Sequence, residues 1–516
     1  MIYFIPAWYN DRRTMYFNAR PWSQKQQLIY TDDTINHVRL VRQSGQPYQL
    51  VIPNYTPQLR YYMHRLELLE SQFVSIFDII QDLSGKNMEM LNFREFEWPE
   101  ETEFIYNPFS VVAQENGQVT AEVEFGTDGQ LLWLTRIQND IPTKRYIFDD
   151  RGFVSSSIFY DAEGKYHYQE YYNRKREWQI REYFGRYGHH VEVSESAQPR
   201  FLKKEYASIE EVVFEKLGQV LDQHDQEDDS IFLAADRRHT SEVLKLKSNK
   251  KVIYSYFQGR NGFTIEPYMI EDIKQVDLIL TITNRARMQF NALTNVPVLK
   301  LPFVDTRFAI GKSRHLKDQF IYFRLDGLTT ASYKRIFDSL VRYMKTNKRV
   351  QLLLISFETD AIQQQYMTNI LRMLLATYSD PEMELREEDS FSIENSVFPE
   401  MASRVSLSFI TPADDVIKII NNCRLVVDLA HEPDMYTQIA AISAAIPQIN
   451  KLPSEFVHHQ KNGYITLNFE NLYDGLDYYL TGLAHWNESM IYCIKMIERY
   501  TDNEIVKKVR LMLNRG

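Results

Sequence analysis

Cysteine is almost missing from this 516-residue sequence: only Cys423 and Cys493 occur. Both lie in apolar helical or strand context, which points to buried, reduced thiols and away from a disulfide scaffold. An excess of basic residues is missing too. Lys and Arg number 59 against 69 Asp and Glu, a net charge of -10, and this excludes a general nucleic-acid binder. Two local basic patches, Lys312 to Lys317 and Lys507 to Arg515, read as a solvated loop or helix face. No apolar stretch approaches the ~20 residues that span a bilayer. The opening MIYFIPAWYNDRR has no basic leader and too short an apolar run for a signal peptide, so the cytosol is the expected address. There is no Walker loop and no G-x-S-x-G elbow. His189-His190 and His458-His459 are adjacent pairs without the cysteine or acidic spacing of a metal site, so no metal and no cofactor is expected. His239, in RRHTSE, has no nucleophile motif around it and is expected to be a satisfied surface histidine.

What is present is a long chain with changing rhythm. Its length exceeds one ordinary core, and about three domains is the natural expectation. Residues 1–98 alternate strands (MIYFIPAW, YQLVIPNY) with helices, including an amphipathic helix expected over SQFVSIFDIIQDL. Residues 99–207 are different. Turn signals recur at Asn116-Gly117, Asp128-Gly129, Asn139-Asp140, Arg151-Gly152 and Glu163-Gly164, with strand-like runs between them. In QVTAEVEF, Val119, Ala121, Val123 and Phe125 oppose Thr120, Glu122 and Glu124. This pattern predicts an antiparallel meander of hairpins. Its crowded aromatics, such as Tyr166, Tyr168, Tyr171, Tyr172, Trp178, Tyr183 and Phe184, either stack on sugars, form a protein interface or fill a core. The α/β rhythm resumes over 208–309 and again over 310–484, and the tail 485–516 reads as two helices, the second lined by Ile505, Val509 and Met512. The predicted fold is α/β: two Rossmann-type units with an inserted antiparallel β-meander domain.

Several landmarks resemble glycosyltransferases of the GT-B type. VDLILTITNRARMQF resembles the close of a first Rossmann unit, LPFVDTRF with Pro302, Asp305 and Phe308 resembles the interdomain segment, and FIYFRLDG resembles the strand opening the second unit. DLAHEPDMYTQIAAISAAIPQI has the layout of the sugar-nucleotide segment, strand, loop, helix and a short strand opening with Pro447. The whole chain is similar to a narrower family. MIYFIPAWYNDRR, PWSQ and YTPQLRYYMHRLELLESQFVSIFDIIQD resemble the first of the accessory secretory proteins of the accessory Sec system of Gram-positive cocci. That resemblance implies a GT-B shape with a β-sheet insertion and a non-catalytic role in a complex with the second and third accessory secretory proteins. It further implies delivery of a glycosylated serine-rich-repeat adhesin to a dedicated motor ATPase.

The residues at the donor positions bear on whether such a chain can transfer sugar. Active enzymes carry two glutamates eight positions apart. Here the first falls on Glu432 and the second, which grips the ribose, on Ala440. Hydrogen bonds to a charged group contribute ~1.5–3 kcal/mol each, so losing two weakens donor affinity by roughly two orders of magnitude or more. Asp434 is a plausible N-cap for a helix starting at Met435, and Glu432 then reads as a loop acid near a helix end. The loop between the two positions lacks glycine, and Met435 and Tyr436 stand there instead; Ala445 replaces the glycine that often precedes the proline. At the diphosphate clamp Phe323 replaces glycine, Arg324 remains, and the first lysine is Lys334; Arg324 is expected to pair with Asp326 or another surface acid. In VIYSYFQG, Phe257 stands where such enzymes place a histidine. These vestigial donor-cleft positions, Arg324, Glu432, Ala440 and Phe257, favour a non-catalytic assembly protein. The competing readings are an active retaining glycosyltransferase with altered donor contacts, a glycan-binding module for the Ser-rich adhesin, and peripheral contact with an anionic membrane through Lys507, Lys508, Arg510 and Arg515.

Overall fold

The computed structural model describes residues 1–9, 13–22, 32–84, 89–223, 229–262, 264–301, 308–358, 360–387, 403–410, 414–501, 507, 509 and 512–513. Pro302 and Asp305 of the interdomain motif therefore lie outside the described residues, as do Ile505, Lys508, Arg510 and Arg515 of the tail. The chain forms two compact units, the first built mainly from Met1–Leu280 and the second mainly from Lys300–Val509.

The first unit starts with β1 (Ile2–Ile5), β2 (Tyr48–Ile52) and β3 (Phe73–Ser75). Every residue of β1 is buried, as expected of a parallel strand covered on both faces. The helix Asp33–Gln43 follows β1, and Asp32 caps it by accepting from the Ile35 amide. The helix expected over SQFVSIFDIIQDL is shorter than predicted. Phe73–Ser75 instead pair with Leu50–Ile52, and only Ile76–Ile80 are helical. Ser75 ends the strand and caps that helix through the Asp78 amide, so one short apolar run supplies both elements.

The ten-stranded antiparallel sheet is then laid down in chain order. Its strands are β4 (Glu103–Tyr106), β5 (Val111–Glu115), β6 (Gln118–Phe125), β7 (Leu131–Gln138), β8 (Ile141–Asp149), β9 (Phe153–Tyr160), β10 (Tyr166–Tyr172), β11 (Trp178–Tyr183), β12 (Val191–Val193) and β13 (Glu205–Tyr206). Asn116-Gly117 and Asn139-Asp140 both adopt positive φ at their two positions, the geometry of the tight turns that match strand twist. The alternation in β6 is incomplete: Glu124 is buried along with Ala121 and Val123, and burial pushes its carboxyl above the ordinary range. One face of the sheet packs on the loops after β1 and β2 and on the helix Ile76–Ile80, whose Phe77 meets Tyr171 at 5.5 Å. Tyr171 meets Tyr55 edge-on at 5.0 Å, the Tyr55 hydroxyl pairs with Ser156 at 2.7 Å, and Arg13 pairs with Glu182 at 2.6 Å. The aromatics therefore divide. Tyr171 and Tyr172 are buried, whereas Phe159, Tyr168, Tyr183 and His190 form a half-buried ladder across β9 to β12 with Phe159 stacked on Tyr168 at 4.5 Å.

The chain returns to the first sheet with β14 (Ser230–Ala234), β15 (Lys251–Tyr256), β16 (Leu278–Thr281) and β17 (Val298–Lys300), giving the order β17-β16-β15-β14-β1-β2-β3. The second unit's sheet comprises β18 (Gln319–Arg324), β19 (Val350–Ser356), β20 (Leu385–Glu387), β21 (Val405–Phe409), β22 (Cys423–Asp428), β23 (Gln448–Asn450) and β24 (Gly463–Ile465). Its order is β20-β21-β19-β18-β22-β23-β24, and its pairs are parallel. Alternate residues of β18 face opposite layers. Ile321 and Phe323 pack on the helices Thr330–Thr346 and Leu472–Leu480, while Phe320 and Tyr322 pack on Asp414–Ile420 and Met435–Ser443. Cys423 and Cys493 are both buried and unpaired. No described helix is long and apolar enough to cross a membrane.

Candidate functional site

In an open parallel sheet, ligands bind outside the carboxyl ends of the strands where the strand order reverses. The first sheet reverses between β1 and β14, and the second between β18 and β22. These two crevices are where a nucleotide or an acceptor would lie, and in both a side-chain pair bridges the two strands.

In the second unit, Arg324 ends β18 and Asp428 ends β22, and the two are register partners. The Arg324 Nη1 lies 3.1 Å from Asp428 Oδ2, and its Nε lies 3.5 Å from Asp326 Oδ2. The expected partner Asp326 is thus the longer contact, and the nearer one is no surface acid: Asp428 is 1% exposed. Asp428 is held from several sides. Its carboxylate accepts the amides of Ala430 at 3.1 Å and Asp434 at 2.8 Å, and its carbonyl accepts Asn450 Nδ2 at 3.2 Å. Burial raises its pKa, and Arg324 and the two amides counter this. Burial opposes the charge on Arg324, but Asp428, Asp434 and Asp326 outweigh it and raise its pKa. Asp326 is fixed in turn by the Ser356 hydroxyl at 2.6 Å and the Phe357 amide at 3.0 Å. One guanidinium therefore sits among three carboxylates, and the local balance is negative.

The other residues expected to line a donor cleft fall in different surroundings. Asp434 caps the helix Met435–Ser443 by accepting the Thr437 amide at 2.7 Å, as its place before Met435 predicts. Glu432 is exposed in the loop before that helix. Ala440 is 0% exposed and belongs to an apolar cluster with Phe320, Tyr322, Val426, Ala441 and Ala444, against which Tyr436 packs. Ala445 takes φ of 58°, the left-handed conformation that glycine adopts freely. Gly327 also has positive φ, and a Cβ there would stand 2.9 Å from the Ala430 Cβ, so the turn after β18 lies directly on the loop after β22. Phe323 is fully buried. Lys334 is exposed on its helix and pairs with Asp338 at 3.2 Å.

The first unit's crevice holds a buried polar network. Trp8 and Tyr9 follow β1, and Asp236 and His239 follow β14. Tyr9 Oη lies 2.6 Å from His239 Nδ1, and His239 Nε2 lies 2.8 Å from the Ala234 carbonyl. A carbonyl only accepts, so Nε2 carries the proton and the tyrosine donates to Nδ1. His239 is 1% exposed, which corrects the expectation of a surface histidine; burial lowers its pKa to about 4 and keeps it neutral. Trp8 Nε1 donates to Asp32 at 2.9 Å, and Arg260 grips Asp33 with two contacts of 2.9 Å. Burial and the neighbouring Asp33 push Asp32 up to about 7. Asp33 is equally buried, but Arg260 outweighs that and holds its carboxyl low. Phe257 is half-buried at the start of the short helix Gln258–Asn261, with the Arg260 guanidinium 5.8 Å from its ring centre. This network was not foreseen, because Tyr9 and His239 are separated by 230 residues. A second feature of the first unit, a cavity of about 1080 Å³ bordered by Arg60, Asp78, Asp150 and Arg151, was also not foreseen, and its charges pair with one another. Among the described residues no cluster of His, Cys, Asp or Glu could hold a metal.

Known proteins resemble this chain over its whole length. The sequence profile of the accessory Sec system protein family, accessory secretory protein 1, matches residues 1–515. The member from Streptococcus gordonii is 33% identical over 522 residues, covering 98% of each chain. A chain in the crystal structure of accessory secretory proteins 1, 2 and 3 from Streptococcus pneumoniae superposes with a TM-score of 0.88 at 30% identity, covering 100% of this chain and 99% of that one. The pneumococcal O-GlcNAc transferase GtfA, solved with UDP and GlcNAc, superposes with a TM-score of 0.69 at 11% identity over 100% of this chain and 99% of its own, a likeness of GT-B fold alone. By profile and by full-length identity, the chain belongs to the accessory Sec system protein family of accessory secretory protein 1.

Proposed function

We propose that this chain is a non-catalytic GT-B-like member of an accessory Sec assembly. It joins the second and third accessory secretory proteins on the cytoplasmic side, where the assembly hands a glycosylated serine-rich-repeat adhesin to the accessory motor ATPase. Arg324, Glu432, Ala440 and Phe257 are the vestiges of its donor cleft. The tail cations Lys507, Lys508, Arg510 and Arg515 add contact with anionic lipid.

The observation that carries the reading is the state of Arg324. A diphosphate needs an uncompensated cation where its charge lands. Here the retained arginine already serves Asp428 and Asp326, with Asp434 close enough to add its charge. A donor diphosphate would have to displace a buried carboxylate and then face it. At the ribose position, Ala440 offers no acceptor and lies inside an apolar cluster. The titration that tests this uses calorimetry with UDP and a panel of UDP-sugars. No binding is expected in the micromolar range; a micromolar donor whose binding is lost in Glu432→Ala would revive the enzyme. Copurification tests the other half. A stoichiometric complex with the second and third accessory secretory proteins is expected, and its absence sinks the assembly role.

A further inference from the structure

The ten-stranded sheet has two edges. One is β13, a strand of two residues, and the other is β4, which lies outermost beyond β5. Long sheets normally blunt such an edge with proline, a bulge or inward charge, because its free amides and carbonyls are a template for another strand.

The backbone of β4 is open. Its register with β5 pairs Phe104 with Ala113, Ile105 with Val112 and Tyr106 with Val111. The hairpin closes with the Asn107 amide donating to the Ser110 carbonyl at 3.1 Å. Hydrogen-bonded and non-bonded pairs alternate along an antiparallel ladder. Counting back from Asn107, Ile105 spends its amide and carbonyl on β5, while those of Phe104 and Tyr106 point outward. Among the described residues nothing accepts or donates to them.

The side chains around this edge are apolar and exposed. Ile105 is 45% exposed on one face and Tyr106 55% on the other; at the hairpin tip Phe109 is 60% exposed and stacks on Trp22, itself 48% exposed, at 6.2 Å. Acids rim the patch: Glu95, Glu97, Glu100, Glu101 and Glu103 are all exposed, against two cations, Arg94, which donates to the Tyr106 hydroxyl at 2.9 Å, and the half-buried Arg136, which lies over the Trp98 ring and donates to the Glu97 carbonyl at 3.4 Å. A second copy of the chain would bring an identical acidic rim against this one, and like charges across a strand pair are unfavourable. The edge therefore discriminates against itself.

We infer that β4 is a docking edge for an extended segment of a partner protein, one with apolar residues at alternate positions and Lys or Arg beside them. The segment adds as an eleventh strand, and its backbone meets the outward groups of Phe104 and Tyr106. The inference rests on the assembly reading above and specifies where one of those partners attaches.

The test uses the full chain with the purified second and third accessory secretory proteins. Hydrogen exchange of the amides of Phe104 and Tyr106 is expected to slow when the complex forms. Tyr106→Pro removes an outward amide without breaking a bond to β5, and is expected to weaken assembly at least tenfold while the melting temperature holds. The charge reversal Glu100→Lys, Glu101→Lys and Glu103→Lys leaves the backbone intact, and is expected to weaken assembly comparably and to remove its salt dependence. If wild type assembles but both variants bind as tightly and 103–106 exchange as fast as in the free chain, β4 is not the docking edge and the assembly role stands. If wild type does not assemble at all, the assembly role itself falls.

Discussion

A glutamate placed at position 440, the proposed ribose position, should damage this protein rather than give it donor binding. Ala440 → Glu places a carboxyl at a position that is 0% exposed, in a helix face packed on Phe320, Tyr322 and Val426. A glutamate buried without a partner has its pKa driven up to roughly 8–9, so it folds in the protonated form. Holding a carboxyl protonated at pH 7, when its ordinary pKa is about 4.3, costs about 1.36 kcal/mol for each of the roughly 2.7 pH units between them, or about 3.7 kcal/mol. Forcing the longer side chain into a filled cluster adds about 1–3 kcal/mol. The total, about 5–7 kcal/mol, is a large part of the ~5–15 kcal/mol that holds a typical domain folded.

The pH dependence separates this account from simple crowding. The folded carboxyl keeps its proton while the unfolded one releases it, so the deficit must grow as pH rises. At pH 5 the protonation cost is only about 1 kcal/mol, so the gap between variant and wild type should widen by about 2.7 kcal/mol between pH 5 and pH 7. Urea denaturation at the two pH values measures it. If Glu at 440 is as stable as alanine at pH 7, or if it confers UDP-sugar binding by calorimetry, the position faces an open cleft and the reasoning fails.

Two further outcomes follow from the charged networks. Asp428→Ala leaves Arg324 without its nearest partner and strands the amides of Ala430 and Asp434; breaking a buried pair of this kind costs about 3–5 kcal/mol, read from the denaturant midpoint, and a loss below about 1 kcal/mol would show the pair to be incidental. Asp32, raised to about 7 from an ordinary 3.8 by burial and by Asp33, holds in the native state a proton that the unfolded chain gives up above its own pKa. Its contribution therefore declines as pH climbs from about 4 to about 7 and is level beyond that. Asp32→Asn keeps an acceptor for the Ile35 amide and should flatten that decline, and equal slopes for wild type and variant between pH 4.5 and pH 7 would refute the assignment.

The fold was legible wherever it depends on local chemistry. QVTAEVEF matches β6 residue for residue, because the strand period and a tight turn such as Asn116-Gly117 act over a few residues. The Asp434 cap was legible for the same reason. β3 was not, since three residues carry no period and its strand state comes from pairing with β2. Nor were the crevice pairs. Tyr9 meets His239 and Arg324 meets Asp428 only because parallel strands distant in sequence end side by side.

Those two pairs bear on how the crevices are filled as well as on stability. A crevice at a strand-order reversal arises from topology alone, and a protein that does not fill it with ligand leaves polar strand ends and loop amides facing a gap. In the second unit, Asp428 satisfies two loop amides and accepts from Arg324, which removes the need for a phosphate to do so. In the first, His239 bonds both a strand-end carbonyl and Tyr9. Internal groups of this sort stabilise the folded form without any ligand present. The Arg324–Asp428 and Tyr9–His239 pairs thus supply from within the protein, at the two strand-order reversals, polar contacts that a ligand in such a crevice would otherwise make.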